Sequence, residues 1–190
     1  MKQAKLLTDV EFKRLSAVIN ALRYPTRNHT LVALSFYAGL RACEMAALRV
    51  GDVFGEGGAV KDTIYLAADQ TKGADSGTVL VNAKLKRQLV AFAKQYPAHV
   101  SNRSGPLLFS AKGGGFTAQT IVNLFKRIYG LAGIDGASSH SGRRQFVTVL
   151  ADKGINARLV QVLARHKHLS TTQRYIDVNE SKLRSAIELI

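Results

Sequence analysis

Arg41, Lys72, His140, Arg143, His166 and Tyr175 are scattered along a 190-residue chain, yet together they hold the parts of one reaction. The densest stretch is His166-Lys-His-Leu-Ser-Thr-Thr-Gln-Arg-Tyr175, preceded by His140-Ser-Gly-Arg143-Arg144. A free phenol has a pKa of about 10, so reaching the phenolate at neutral pH costs roughly 4 kcal/mol unless cations or a base intervene. A tyrosine nucleophile at position 175 therefore needs positive neighbours. Arg41 and Arg143 offer planar guanidiniums, which bind the non-bridging oxygens of a phosphodiester in pairs and act on the charge that grows there during attack. His140 and His166 can donate hydrogen bonds to phosphate or move protons near neutral pH. Lys72 can protonate a departing 5′ oxygen, because an alkoxide leaves poorly without a general acid.

Each of these residues also has an ordinary reading when taken singly. Tyr175 could be a half-buried ring, Arg143 one more surface charge and Lys72 a solvated turn residue. Arg41 could form a helix-surface ion pair with Glu44, three residues on. A metal held by His166 and His168 would want further His, Cys or carboxylate ligands nearby, and the acids are scattered. No metal or other cofactor is expected.

Charge narrows the class of partner. Twenty-seven Lys and Arg against thirteen Asp and Glu leave a net charge of +14. Such an excess points to a polyanion, of which nucleic acid is the usual one. The basic residues form no long block, so a folded basic face is expected rather than a disordered tail. With 46% hydrophobic residues, the chain can bury one core but not two, and residues 1–190 read as a single domain. The longest apolar run, Leu31 to Leu40, is broken by Ser35 and Gly39. It falls far short of the roughly 20 residues a membrane span needs. The N-terminus shows no apolar signal core, and the lone cysteine, Cys43, excludes an internal disulfide. A reducing, cytoplasmic setting follows, with Cys43 expected as a small buried apolar group.

The elements that must carry these residues are legible in outline. Thr8-Asp-Val-Glu11 is a capping box opening a helix with an apolar stripe of Val10, Leu15, Val18, Ile19 and Leu22. Pro25 punctuates the chain, and a second helix from Thr26 to Ala38 ends at Gly39, a left-handed cap. A third begins near Arg41, turns Met45 and Leu48 inward, and stops by Gly51. Phe54 to Gly58 reads as a loop. Thr63 to Ala67 and Thr78 to Val81 read as two strands of a β-hairpin with Lys72 near its tip. Asn82 caps a helix to about Tyr96, ended by Pro97, and a loop follows from His99 to Pro106. Thr117 caps a helix with Ile121, Leu124, Phe125 and Ile128 on one side. Helices over Ser141 to Lys153 and Asn156 to Ala164, a turn around Thr171 to Tyr175, and an amphipathic segment Ser181 to Ile190 complete a mainly α domain with a small antiparallel sheet.

These residues resemble the catalytic domain of the tyrosine recombinases, the phage-integrase family, over about Thr8 to Ile187. Gly39-Leu-Arg41-Ala-Cys-Glu44-Met-Ala-Ala-Leu48-Arg-Val-Gly-Asp52 is similar to its first arginine box, and Thr71-Lys72-Gly73 to its lysine hairpin. His140-Ser-Gly-Arg143 resembles the second box, and His166 followed nine residues later by Tyr175 the nucleophile segment. Four boxes in the family's order and spacing make a specific match.

The resemblance implies that Tyr175 attacks the scissile phosphate to form a 3′-phosphotyrosyl link. It also implies that Arg41, Arg143 and His166 hold the phosphate oxygens, that Lys72 is the general acid and that His140 assists proton transfer. Glu44 would buttress the first box. Double-stranded DNA, a tetramer assembled on it, and accessory DNA-bending proteins are the implied partners, in a cytoplasmic, nucleoid-associated setting. Type IB topoisomerase activity and a DNA-binding module with silent boxes are the alternatives. Two positions depart from the family pattern: Arg165 stands where glycine usually precedes the histidine, and Gly142 where a bulkier apolar residue is commoner. With the first helix opening at Thr8, no N-terminal core-binding domain is expected within the chain.

Overall fold

A computed structural model describes residues 3–71, 76–176 and 180–188. Eleven α-helices, two short 3-10 turns and one hairpin are found among them. Helix α1 (Asp9–Asn20) starts where Thr8 Oγ1 accepts the Glu11 amide at 3.2 Å and Glu11 Oε2 accepts the Thr8 amide at 2.9 Å. It buries Leu15 and Ile19, with Val18 and Leu22 half-buried beside them. Val10, expected on the same stripe, is 74% exposed. It belongs to the first turn, which has not yet reached the core.

Helix α2 (Pro25–Ala38) is the centre of the molecule. Apolar residues occur all round it, so it has no solvent face of its own, and every residue from Thr30 to Phe36 is buried. Pro25 sits in its first turn rather than before it, where a missing N–H costs nothing. Gly39 ends the helix at φ 61°, and a Cβ there would lie 2.7 Å from the Phe146 ring. Both the left-handed backbone and the close approach require glycine.

The predicted third helix is two. α3 (Ala42–Ala47) stops at Leu48, and α4 (Val50–Val53) restarts with Asp52 Oδ2 accepting the Arg49 amide at 2.8 Å. The break comes from a distant loop: the amides of Val50 and Gly51 donate to the carbonyls of Gly105 and Arg103. Cys43, expected buried, is half-buried. Strands β1 (Thr63–Leu66) and β2 (Gly77–Leu80) pair antiparallel, with Ile64 opposite Val79. Ile64, Leu66 and Val79 face the core, while Tyr65 and Leu80 face outward, as strand alternation demands. Lys72, expected near the hairpin tip, lies outside the described residues.

Asn82 caps α5 (Ala83–Gln95) through the Leu85 amide, and Pro97 then opens α6 (Pro97–Ser101), whose last three residues fall in the stretch read as a loop. Thr117 caps α7 (Ala118–Leu131), which buries Ile121, Phe125 and Ile128. α8 (Ser141–Asp152), α9 (Ala157–Ala164) and α10 (Leu169–Gln173) follow, then α11 (Glu180–Ile187). Gly142 explains itself: a Cβ there would meet Ser35 Oγ at 2.3 Å and the Phe36 ring at 2.6 Å. Its absence lets α8 lie directly on α2. One core spans α1 to α7 and the hairpin. A small separate cluster of Val147, Val160 and Ala164, flanked by Phe146, Leu150 and Tyr175, joins α8 and α9 to the last turn before Tyr175.

Candidate active site

The carbonyl end of α2 organises the site. Helix C-termini carry partial negative charge, and cations gather there. Arg143, on the first turn of α8, donates through one terminal nitrogen to Gly39 O at 2.6 Å and through the other to Ala164 O. The same Gly39 carbonyl accepts from Arg165 at 3.1 Å. The two bonds to Gly39 join residues more than a hundred positions apart, and the one from Arg143 brings the second box against the first.

Glu44 has no exposed surface. The surface ion pair anticipated for Arg41 is therefore a different thing: a buried carboxylate shared among cations. Glu44 Oε1 accepts from Arg41 at 2.6 Å, and Oε2 accepts from Arg165 at 3.1 Å and from the Arg41 amide at 2.8 Å. Burial pushes the Glu44 pKa up, but Arg165, the Arg41 amide, Arg143 and the Arg41 guanidinium outweigh it and hold it below the usual range. Three guanidiniums against one carboxylate leave an excess of two positive charges. A phosphodiester brings one negative charge, and its five-coordinate transition state about two, so this excess favours the transition state.

His166 follows Arg165 and is only 9% exposed. One ring nitrogen lies 2.9 Å from Thr172 Oγ1. Burial first, then Arg143, Arg41 and Arg165, depress its pKa to about 4. The ring is neutral at pH 7, with its second nitrogen left to meet a ligand. Arg143 is pulled down to about 9, by burial first and then by Arg41 and Arg165, while Glu44 and Tyr175 oppose the shift. It stays charged at neutral pH.

Tyr175 is half-buried, its ring stacked on His166 with centroids 6.1 Å apart and planes 21° apart. It packs on the small cluster formed by α8 and α9 and lies within electrostatic reach of Arg143. The structure thus gathers Arg41, Arg143, His166 and Tyr175. His140 is exposed at the N-cap of α8, three residues before Arg143. Lys72 is outside the described residues.

A cleft of about 490 Å³ runs past Arg41 and His166, while Arg143 and Tyr175 lie behind its lining. Arg41, Glu44, Arg165, His166 and Lys167 form one wall, and Tyr65, Thr71 and Gly77 of the hairpin region another. Arg165 was visible in the sequence as an oddity at a glycine position; its place in the guanidinium cluster was not. No group of three or more potential metal ligands occurs among the described residues.

The fold and this site define a class, and comparison with known proteins gives its name. The model of the phage integrase family matches residues 5–182. The chain belongs to that family. Its relatives include the tyrosine recombinase XerA of Thermococcus kodakarensis, 31% identical over 187 residues that cover 97% of this chain and 62% of the relative. Across the curated XerA relatives the chain spans about 60% of their length. The crystal structure of XerA recombinase superposes with a TM-score of 0.75 at 22% identity, covering 99% of this chain and 66% of that one. The XerH site-specific recombinase bound to its difH substrate, in a pre-cleavage complex, gives 0.71 at 24% identity, covering 98% and 54%. At these identities the likeness is one of fold.

Proposed function

We propose that this chain is the catalytic part of a site-specific recombinase that cuts and rejoins double-stranded DNA through a 3′-phosphotyrosyl intermediate. The observation that carries the reading is the packing of a phenol and a neutral imidazole beside three guanidiniums whose charge exceeds that of their one carboxylate. Membership of the family and the DNA complex of XerH support it.

Arg41 and Arg143 bind the non-bridging oxygens, and His166 adds a hydrogen bond from the nitrogen that does not meet Thr172. The Tyr175 oxygen attacks phosphorus, and the 5′ oxygen departs with a proton. Lys72 is the proposed donor, with His140 assisting. Because the phosphotyrosyl link keeps the energy of the broken ester, a 5′ hydroxyl from a second duplex can reverse the step without ATP. In this proposal the protein acts as a tetramer on DNA, with accessory DNA-bending proteins as further partners. No helix among the described residues is long and apolar enough to cross a membrane.

A nicked duplex carrying the cognate site, which releases a short 5′ fragment after cleavage, tests the proposal. The chain should accumulate a covalent protein–DNA adduct resistant to denaturation, and Tyr175→Phe should form none. Absence of an adduct with the unaltered chain, or an adduct that persists in Tyr175→Phe, would refute the assignment. Relaxation of plasmids without site preference would instead indicate a topoisomerase.

A further inference from the structure

Arg165 is the one non-glycine residue at positive φ among the described residues, at 54°. That conformation brings the Cβ of an L-residue too close to its own carbonyl, and glycine is its default occupant. The arginine here is not idle. Its side chain is 10% exposed. One terminal nitrogen donates to Leu163 O at 3.2 Å and Ala38 O at 3.4 Å, the other to Gly39 O and Glu44 Oε2, both at 3.1 Å. Its own carbonyl accepts from Arg41 at 3.2 Å.

The strand opposite is shaped around it. A Cβ on Gly77 of β2 would lie 2.8 Å from Arg165 Cδ, and the anchored guanidinium leaves that stem little room to yield. Gly77 is not at positive φ, so its backbone makes no demand for glycine. The space is taken by the arginine stem.

With both terminal nitrogens engaged and Nε buried without a partner, Arg165 has no donor to offer a phosphate. What it does occupy is Glu44 Oε2. Without Arg165 that oxygen would keep only the Arg41 amide, and the freed lone pair would let the Arg41 guanidinium, already on Oε1 at 2.6 Å, chelate the carboxylate with both terminal nitrogens. Arg41 would then turn toward Glu44 and away from the cleft.

We infer that Arg165 is a positioning residue: by holding Glu44 Oε2 it restricts Arg41 to a single-toothed contact and keeps the remaining Arg41 donors for the scissile phosphate. The inference rests on the strand-cleavage reading above.

Arg165→Gly isolates the side chain, because glycine keeps the left-handed backbone and hence the carbonyl that receives Arg41. Single-turnover adduct formation on the nicked duplex should fall about 30-fold, less than the 10²–10³-fold loss of a direct donor. DNA affinity should stay within about 3-fold, since the contact matters in the transition state. Thermal stability should change by no more than about 4 °C, because relief of the left-handed strain offsets the lost ion pair.

A scissile methylphosphonate removes the charged non-bridging oxygen that Arg41 would neutralise. On that substrate the variant and the parent should cleave at similar rates. An equal loss on both substrates, a loss confined to affinity or stability, or no loss would overturn the inference. If the parent itself forms no adduct, the strand-cleavage reading falls and inorganic phosphate becomes the probe. It should then stabilise the parent against heat more than Arg165→Gly, and equal stabilisation would overturn the positioning role.

Discussion

Two buried guanidinium sites in this protein have opposite designs. Arg27, on α2, is 6% exposed and has no carboxylate partner among the described residues. It donates to Phe109 O at 2.9 Å and to Asn28 Oδ1 at 3.1 and 2.8 Å, with its guanidinium carbon 4.5 Å from the Tyr24 ring centroid and 5.1 Å from that of Phe116. Amide oxygens and ring faces balance it. At the far end of the same helix, three arginines share one buried carboxylate and the last carbonyls. The first site is closed in its hydrogen bonding: each guanidinium nitrogen donates to the protein, although Arg27 also borders a cleft of about 390 Å³. The second keeps surplus charge beside a cleft. Burial of a cation thus says little about function; whether its charge is balanced says more.

The sharpest way to break this contrast is Arg41→Ala. Strand cleavage should fall about 10³-fold per folded molecule, because a donor aimed at developing charge is lost, while the melting temperature falls by only about 5 °C as buried Glu44 Oε1 loses a partner. A large melting shift with normal cleavage would place Arg41 in the closed kind of site.

A second test uses pH. Unfolded His166 titrates near 6.5 and the folded ring near 4, so between those values the unfolded chain takes up a proton that the folded chain refuses. Stability is therefore complete above about pH 6.5 and declines as pH falls toward 4, by about 3 kcal/mol from this residue. Chemical denaturation across that window should show the decline, and His166→Gln should flatten it. The same slope in both proteins would mean that the cluster does not hold the ring neutral.

The smallest effect belongs to the closed site. Arg27→Met should cost about 2 kcal/mol by stranding the Phe109 carbonyl, roughly 5 °C in melting, with cleavage per folded molecule unchanged. A fall in cleavage without a fall in stability would erase the distinction between the two sites.

Local chemistry made much of the fold legible. Thr8, Asn82 and Thr117 cap helices as their types suggest, Gly39 ends α2, and alternation marks both strands. Departures came from contacts the chain makes elsewhere. The loop around Arg103 and Gly105 splits α3 from α4, and the first turn of α1 overhangs the core and leaves Val10 in water. At the site, residue types and spacing picked out Arg41, Arg143, His166 and Tyr175, which the fold brings together. They did not disclose that Glu44 is buried or that Arg165 shares it. Gly142 was noted only as unusual, because its reason is Ser35 and Phe36 on another helix.

The single oxygen of Gly39 receives both Arg143 and Arg165. It stands at the last turn of the most deeply enclosed helix in the molecule, so a repacking that slides α2 along its axis drags two guanidiniums with it. Interior substitutions such as Leu34→Ala are therefore expected to disturb the guanidinium cluster as well as the core. On the proposed strand-cleavage function, survivors of such changes should fold and bind DNA yet cleave slowly, although the altered positions touch no ligand.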